Sequence, residues 1–297
     1  MVPRASRNRL SNRPKKVRDT IFQPLSFSSP SALHPLSNPP NLCRYNKMAL
    51  IRPVIDLTTG TLEVTAPHSQ PLKIPLSTRP SDLCALKPSA SRVCGDKITA
   101  LTYTTQHIID FFTSAVGVPC TLARFPPSSA SRRHFGNGAC GEAPPILLSN
   151  ESPILIVNRS SVDRLNETIA CAGGKTAKAD VFRGNIVIRE TGSHGGGSGE
   201  KRAYAEDTWR HVKIGQEYFQ MLGPCRRCHM ICVDQDTAER NEEPFVTLSK
   251  TRRIGGRVLF GQHAVHLPRE SGSRVPKIRT GDAVRVWEDG DDGGLVA

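Results

Sequence analysis

The first half of the chain alternates apolar and polar positions over short stretches, a pattern that predicts β-strands joined by tight turns. Residues 49–57 and 61–65 alternate on either side of a Thr-Gly turn at 59–60, which is typical of a β-hairpin. Residues 71–76 predict a further strand at the edge of that sheet. Residues 105–116 instead place their apolar side chains on one face at helical spacing, so they predict an amphipathic helix.

The second half predicts one more helix among short strands. Ile154–Val157 has the composition of a buried strand, and Ser160 with Asp163 forms a variant capping box for a helix that runs to about Cys171. Further apolar stretches predict strands at Ile186–Ile188, Thr208–Ile214, His229–Asp234, Arg257–Phe260 and Ala283–Trp287. Short strands at this spacing favour a β-rich α+β fold built on a barrel or a sandwich.

Composition argues against a membrane-spanning protein and against a disulfide framework. Hydrophobic residues make up 37%, the mean hydropathy is −0.34, and the longest apolar runs are strand-sized. The nine cysteines are an odd number, and the N-terminus lacks the apolar core of a signal peptide. We therefore expect free thiols and a cytoplasmic location. Residues 1–43 are rich in Arg and Ser and poor in acids, like a mitochondrial transit peptide, so mitochondria are the alternative.

Charge is distributed unevenly. The chain has 40 basic and 27 acidic residues, a formal net charge of +13, but residues 1–47 alone hold nine Lys and Arg against one acid, Asp19. Aromatic residues are only 5% and do not interleave with basic ones, so no nucleic-acid partner is expected. The expected domains are a disordered basic tail at 1–46, a β-rich subdomain at 47–125, a linker loop at 126–143 and a second domain at 144–297.

Three cysteines and a histidine lie close together, at Cys225, Cys228, His229 and Cys232. Cys225, Cys228 and His229 match the attachment pattern of c-type haem, which needs an exported chain. A structural zinc site would use the cysteines and a histidine, but no second Cys-x-x-Cys is present. A thioredoxin-like pair would need a strand before the motif and a helix after it, whereas Pro224 and the later apolar residues predict a turn into a strand. Cys232, between apolar neighbours, is expected to be an ordinary buried cysteine.

Cys228 differs from the other cysteines because Arg226 and Arg227 precede it. Their charges would lower the pKa of the Cys228 thiol and favour the thiolate, which binds soft metals or carries sulfur. Their planar guanidinium groups also match the geometry of phosphate. The pattern predicts a soft-metal site beside an anion-binding pocket.

Several motifs, in order along the chain, resemble one known family. The motifs are Phe182–Ile188, Ala203–Trp209, Cys225–Gln235 and Leu259–Gln262, with further likeness at Ser91–Cys94 and Leu155–Val162. Together they resemble the MOSC domain, and in particular the C-terminal part of eukaryotic molybdenum cofactor sulfurase. The resemblance covers about residues 47–297. It implies a MOSC β-barrel preceded by a partial MOSC N-terminal β subdomain.

The resemblance also implies a site that binds the molybdopterin form of molybdenum cofactor. In the related mitochondrial amidoxime-reducing component, a cysteine that matches Cys228 binds molybdenum. Cys228 is therefore the implied metal ligand and catalytic thiol, and Cys225 is the implied second sulfur-handling thiol. The implied cofactor contacts are Arg183, Asn185, Arg226, Arg227, Ser152 and His263.

The implied function is to bind molybdenum cofactor and support the exchange of one oxo ligand for sulfur. The treated cofactor would serve enzymes of the xanthine dehydrogenase and aldehyde oxidase type. The implied partners are a cysteine desulfurase domain, in cis or in trans, and those molybdenum hydroxylases in their apo-forms. The chain lacks the length for the pyridoxal-phosphate domain of the full sulfurase, so pyridoxal phosphate is not expected in it. The alternative is a stand-alone reductase of N-hydroxylated compounds that receives electrons from haem and flavin proteins.

Overall fold

The computed structural model describes residues 8–10, 22–23, 45–76, 86–93, 96–124, 152–190, 202–267 and 276–288. The chain divides into two compact units. Unit 1 comprises residues 1–15, 152–232 and 241–297, and unit 2 comprises residues 16–151 and 233–240. In the described ranges, no helix has both the length and the apolar character needed to cross a membrane.

Short strands dominate both units, which confirms the β-rich α+β class. The strands are β1 (Asn8–Leu10), β2 (Phe22–Gln23), β3 (Arg52–Asp56), β4 (Thr61–Thr65), β5 (Leu72–Pro75), β6 (Leu86–Val93), β7 (Asp96–Tyr103), β8 (Thr121–Arg124), β9 (Ile154–Asn158), β10 (Ile186–Glu190), β11 (Trp209–Ile214), β12 (Glu217–Arg226), β13 (Arg253–Ile254), β14 (Arg257–Leu267) and β15 (Val284–Glu288). The α-helices are α1 (Gln106–Val116), α2 (Arg159–Cys171) and α3 (Phe245–Thr251). Short 3₁₀ helices cover Asn46–Leu50, Ala179–Phe182, Ala205–Asp207 and His229–Cys232.

Two expectations of the sequence analysis fall largely outside the described residues. The proposed linker loop at 126–143 lies wholly outside them. Within the basic segment 1–46, the strands β1 and β2 and the start of the first 3₁₀ helix are described. For the remainder of that segment, a disordered tail stays a prediction, as do the domain boundaries.

The predicted β-hairpin forms in unit 2 between β3 and β4, and β5 pairs with β4 as the predicted outer strand. Asp56 closes the hairpin turn, because its carboxylate accepts the backbone N–H of Thr58 and the hydroxyl of Thr59, each at 2.8 Å. Gly60 follows with a φ of +64°, which glycine adopts without steric cost. Residues 49 and 50, expected to lead into the first strand, instead belong to the 3₁₀ helix 46–50.

Helix α1 confirms the helix predicted near residues 105–116. Gly117 ends it in the left-handed conformation and donates its N–H to the carbonyl of Thr113 at 2.8 Å. The residues of the predicted apolar face, Ile108, Ile109, Phe112 and Val116, are all buried. Ile108, Phe112 and Val116 pack with β4, β5 and β8 in a single core. A second sheet of unit 2, in the order β2-β8-β7-β6, also contributes to this core.

Unit 2 also contains residues 233–240, which directly follow the cysteine-rich segment. The Asp234 carboxylate accepts the N–H groups of Asp236 and Thr237 at 2.8 and 3.0 Å and so shapes this loop. Arg52 at the start of β3 donates to the carbonyl of Gln235. Asn46 donates to the carbonyl of Ala238 at 2.7 Å. The side chains of Arg52 and Asn46, elsewhere in unit 2, therefore hold the backbone of this loop through its carbonyl groups.

Unit 1 is built on one sheet in the order β12-β11-β15-β1-β10-β9-β14-β13. Because β12 also pairs with β14, the sheet curls back on itself in a barrel-like form. The pair β9–β10 is parallel, and helix α2 makes the crossover between these two strands. One core lies among the strands, and a second lies between α2, α3 and the ends of β9 and β14.

Helix α2 ends at Cys171 as predicted, but its N-cap differs from the prediction. Asn158 caps the helix by accepting the N–H of Ser160 at 3.1 Å, whereas Ser160 had been expected to be the cap. Ser160 and Ser161 lie inside the first turn and are buried. Asn158 and Ser160 are both favourable N-cap residues, and Asn158 takes this position because β9 ends there.

The strand predicted at His229–Asp234 is wrong. His229–Cys232 forms a 3₁₀ helix, and Val233 makes an isolated β-bridge with Arg240. The strand that carries the first cysteine of the motif is β12, which the sequence analysis did not predict. A strand therefore precedes the motif and a helical turn follows it, the reverse of the predicted order.

A buried carboxyl joins α2 to the 3₁₀ helix 205–207. Ser161 donates its hydroxyl to Glu206 at 2.6 Å and accepts the N–H of Tyr204 at 2.8 Å. Glu206 is only 1% exposed. Burial raises the pKa of Glu206 to about 7, against the lowering effect of the Ser161 hydrogen bond. Next to it, Asp207 pairs with Arg252 at 2.6 Å.

Glu206 should make the stability of the protein fall with rising pH. A raised folded pKa means that its contribution is fully present below the unfolded value near 4.5 and is lost as pH rises through about 7. We expect the free energy of unfolding to fall by about 3 kcal/mol across that window because of this residue. Glu206→Gln should remove this slope, and Glu167→Gln, at an exposed site on α2, should keep it. Urea unfolding at several pH values measures it; equal slopes in both variants would contradict the assignment.

Candidate functional site

The cysteine-rich motif lies where β12 ends. Cys225 is buried within the strand, and the strand finishes at Arg226. The chain then turns at Cys228 and enters the 3₁₀ helix His229–Cys232, in which Ile231 donates its N–H to the carbonyl of Cys228 at 3.3 Å. The thiol of Cys228 is therefore carried, exposed, at the corner between a strand and a helical turn.

Cys225 lies inside a polar network in the interior of unit 1. The guanidinium of Arg227 lies 3.1 Å from its Sγ, and His263 on β14 also hydrogen bonds to the thiol. Ser152, just before β9, lies 2.7 Å from Nδ1 of His263. The Ser152 hydroxyl also donates to the carbonyl of Ile154 at 2.8 Å. Three neighbouring segments of the sheet thus place a thiol, an imidazole and a hydroxyl in contact.

The pKa values of the two buried cysteines of the motif are shifted in opposite directions. Burial acts to raise the pKa of Cys225, but the charge of Arg227 and the hydrogen bond from His263 outweigh it, so the pKa lies below its usual value. Cys232 is equally buried, and desolvation raises its pKa. Its thiol donates to the carbonyl of Glu242 at 3.3 Å. The sequence analysis expected the arginines to act on Cys228, whereas the contact that the structure gives Arg227 is with Cys225.

Arg227 connects the motif to a second turn of the chain. One of its terminal nitrogens binds Cys225, and the other donates to the carbonyl of Phe182 at 2.5 Å. The guanidinium also lies over the Phe182 ring, 5.5 Å from its centroid. Its Nε is buried and has no hydrogen-bond partner among the described residues. The charge of Arg227 is therefore directed to the protein interior.

The second turn presents Arg183 beside the motif. Arg183 has a left-handed φ of +55° and donates its N–H to the carbonyl of Asp180 at 3.0 Å. Its side chain reaches the sulfur of Met230, two residues beyond Cys228, at 3.8 Å. Gly184 follows, and a Cβ there would lie 2.9 Å from a methyl group of Val157, so only glycine fits without a shift. The close packing of this turn fixes where Arg183 emerges.

Asn185 completes this turn by extending the ladder between β9 and β10. Its backbone N–H donates to the carbonyl of Leu155, and its side-chain oxygen accepts the N–H of Leu155, both at 2.8 Å. The two bonds anchor the turn to the start of β9. The side-chain oxygen of Asn185 is therefore used to hold the turn in place.

The structure brings most of the sequence-predicted site residues into one region of unit 1. Cys225, Arg227, His263 and Ser152 form the buried network, and Asn185 and Arg183 form the adjoining turn. Arg226 and Cys228 are exposed. Sequence reasoning did not assign roles to Phe182 and Met230, which join the two turns. Phe182 could have been recognised from the sequence as the apolar residue that directly precedes Arg183-Gly184-Asn185.

A multi-ligand metal site is not assembled in the described part of the chain. No group of three or more His, Cys, Asp or Glu side chains in those ranges is placed to hold a metal ion. Cys225 and Cys232 are buried, while Cys228 and His229 are exposed. His229 lies in a 3₁₀ helix and not on the strand that the sequence predicted there.

The fold and the motif define the class of the protein. A family model described as the MOSC domain matches residues 131–285, just over half of the chain. The chain belongs to the MOSC domain family.

Its relatives are more specific. It is 43% identical over 291 residues to the molybdenum cofactor sulfurase of Botryotinia fuckeliana, covering 82% of this chain and 35% of the relative. It is 40% identical over 290 residues to the molybdenum cofactor sulfurase of Aspergillus terreus, covering 83% and 35%. The chain thus spans about a third of the length of these curated relatives. The solution structure of a protein from Bordetella bronchiseptica shows 19% identity and a TM-score of 0.27, covering 34% of this chain and 74% of that one, a likeness that carries no argument.

The two adjacent arginines should differ sharply in their effect on stability. Arg227→Met removes the hydrogen bonds to Cys225 and Phe182 and should lower the free energy of unfolding by about 2–3 kcal/mol. Arg226→Met, at an exposed position, should change it by less than about 0.5 kcal/mol. Urea denaturation followed by circular dichroism measures both. Equal losses would mean that the contacts of Arg227 contribute nothing beyond those of a surface arginine.

Proposed function

We propose that unit 1 binds the molybdopterin form of molybdenum cofactor and supports its sulfuration. The observation that carries the proposal is the exposed thiol of Cys228, which follows Arg226 and Arg227 and stands two residues before Met230, the residue that Arg183 contacts. The chain that carries it is about 40% identical to proteins named molybdenum cofactor sulfurase. When bound, the cofactor supplies a molybdenum centre at which one oxo ligand is exchanged for a sulfido ligand. The residues of this chain bind the cofactor, orient it and balance its charge.

The donor set fits this cofactor. A cysteine thiolate is a protein ligand for sulfur-binding transition metals, and Cys228 is the exposed thiol of the motif. A pterin phosphate is a dianion and needs charge-assisted donors. Arg226 is exposed directly before this region, and Arg183 approaches it through Met230. A thioether is a weak acceptor, so exchanging that contact for phosphate is favourable for Arg183.

The remaining candidate residues have supporting positions in this proposal. Arg227 and Asn185 hold the two turns through the carbonyl of Phe182 and the backbone of Leu155. Ser152 and His263 are buried behind Cys225. The proposal gives the metal- and sulfur-handling step to Cys228, because Cys228 is exposed and Cys225 is not.

The partners follow from the chemistry of the step. Sulfur must arrive from a donor, and we propose a cysteine desulfurase domain, acting in cis or in trans. The product would be used by apo-enzymes of the xanthine dehydrogenase and aldehyde oxidase type. The chain spans about a third of the length of relatives named molybdenum cofactor sulfurase. Sulfuration is therefore tested with a sulfur donor added as a separate component.

Removal of Cys228 should separate metal binding from pterin binding. In protein loaded with cofactor, Cys228→Ala should lower the bound molybdenum at least about tenfold, because the proposed thiolate ligand is lost. Bound pterin should stay within about twofold, because the arginines remain. Cys171→Ala is the matched control, since Cys171 is also an exposed cysteine of unit 1. Metal analysis and pterin fluorescence of the same samples give both values.

Three outcomes would contradict the proposal. Equal molybdenum in Cys228→Ala and wild type would show that Cys228 is not the ligand. Clear turnover of an amidoxime by the loaded protein with a reducing system would favour the reductase alternative instead. Stoichiometric zinc without pterin would remove both cofactor functions.

A further inference from the structure

Cys225 and His263 form a buried relay that the proposed function does not use. The relay spans three paired strands, because Gly223 on β12 lies opposite His263 on β14, and His263 lies opposite Leu155 on β9. Ser152 gives its single hydroxyl proton to the carbonyl of Ile154, so it accepts from Nδ1–H of His263. The orientation of the ring is thereby fixed. A Cys225 thiolate can only accept a hydrogen bond, so in the relay the other ring nitrogen of His263 also carries a proton and His263 is an imidazolium.

The surroundings of the Cys225 sulfur are those of an anion. The guanidinium of Arg227 lies 3.1 Å away, and His263 supplies a second hydrogen bond. The residue is 7% exposed, so water contributes little to its solvation. Cys232 is also 7% exposed, and its thiol contacts the carbonyl of Glu242 at 3.3 Å, an acceptor that favours the neutral thiol. Cys225 has a longer carbonyl contact of the same kind, with Arg226 at 3.6 Å, but it alone also has a guanidinium, at 3.1 Å. The two cysteines are equally buried and differ in the charge of their partners.

Arg227 needs such an anion. A guanidinium taken out of water is costly unless a counter-charge and hydrogen-bond acceptors replace the lost solvation. The carbonyl of Phe182 satisfies one terminal nitrogen, and Cys225 satisfies the other. Loss of the charge on Cys225 would leave Arg227 held by the carbonyl and the aromatic ring. The Phe182 carbonyl directly precedes Arg183, so the position of that turn depends on Arg227.

We propose that Cys225 is a positioning residue: a buried thiolate, oriented by His263 and Ser152, that holds Arg227 against the carbonyl of Phe182. In this role Cys225 carries no sulfur. It keeps the turn of Arg183 and the corner of Cys228 in place by fixing the side chain of Arg227, which joins the two. What those two turns bind rests on the proposed function, whereas the relay itself does not.

Charge and shape at position 225 can be separated by two substitutions. Cys225→Ser keeps the size of the side chain and removes the anion, and Cys225→Asp keeps an anion of similar size. We expect Cys225→Ser to lower the urea midpoint and to reduce retained pterin by at least about tenfold, as for other buried pairs that lose one partner. Cys225→Asp should recover pterin retention to within about twofold of wild type, because it restores a partner for Arg227.

The same two substitutions at Cys232 provide the matched control. Cys232→Ser should be tolerated better than Cys232→Asp, because a buried carboxylate there has no cationic partner among its described hydrogen bonds. The order of the serine and aspartate variants should therefore reverse between the two positions. The same order at both positions would overturn the proposal.

Two further readouts do not depend on cofactor. The ultraviolet absorbance of thiolates in apo wild type at neutral pH should exceed that of Cys225→Ser, and equal absorbance would overturn the proposal. After treatment with a low-molecular-weight persulfide donor, peptide mass spectrometry of wild type should find Cys225 unmodified. A persulfide on Cys225, or a disulfide between Cys225 and Cys228, would make Cys225 a sulfur-handling thiol instead.

Failure of the proposed function and failure of the relay are distinguishable. If wild type binds no pterin, the proposed function fails, while the absorbance and unfolding results still decide the relay.

Discussion

The organisation of the candidate site depends on one half-buried cation. The guanidinium of Arg227 is placed where water cannot solvate it fully, so the protein must supply both acceptors and counter-charge. It does so from two directions, with the thiol of Cys225 on the preceding strand and the carbonyl of Phe182 on another turn. Because a guanidinium is planar and rigid, satisfying both partners fixes their relative placement. Two segments far apart in the sequence are thereby held in one arrangement.

Cys225 and Cys228 differ in their exposure and in their contacts. Cys225 is buried and Arg226, the last residue of β12, is exposed, whereas Arg227 lies just beyond the strand and directs its guanidinium back to the Cys225 sulfur. Cys228 lies after the end of β12 and before the 3₁₀ helix His229–Cys232, and its side chain is exposed. One thiol is therefore surrounded by donors and the other is accessible. A Cys-x-x-Cys motif would look symmetrical in sequence, but its two sulfurs lie in opposite environments.

The sequence predicted local structure where a short-range pattern determines it. The hairpin around Gly60, the apolar face of α1 and the end of α2 at Cys171 all follow from spacing and turn chemistry. The prediction failed at His229–Asp234, because its central apolar run fits a strand as well as a 3₁₀ helix. It also missed β12, since Gly223 and Pro224 are poor strand residues that a bulge accommodates.

For the site, the sequence and the family resemblance together predicted which residues gather, but not which of them touch. The contact of Arg227 with Cys225 forms where β12 ends, and strand alternation does not predict it because Arg227 lies beyond the strand and the pairing is irregular just before it. The contact of Cys225 with His263 and Ser152 depends on the register of three strands, one of which crosses over through α2. No local pattern encodes that register. It is set by which face of each strand is buried across the whole sheet.

The electrostatic balance of unit 1 follows from these contacts. Asp207 neutralises Arg252, and burial raises the pKa of the neighbouring Glu206 carboxyl to about 7, so below that pH this carboxyl is mostly uncharged. In the proposed relay the Cys225 thiolate lies beside two cations, Arg227 and the His263 imidazolium, and offsets part of their charge. The positive charge near the corner of Cys228 is then carried by Arg183 and Arg226. In the proposed function the pterin phosphate is a dianion that needs charge-assisted donors, so the internal pairing of Arg227 leaves that role to Arg183 and Arg226.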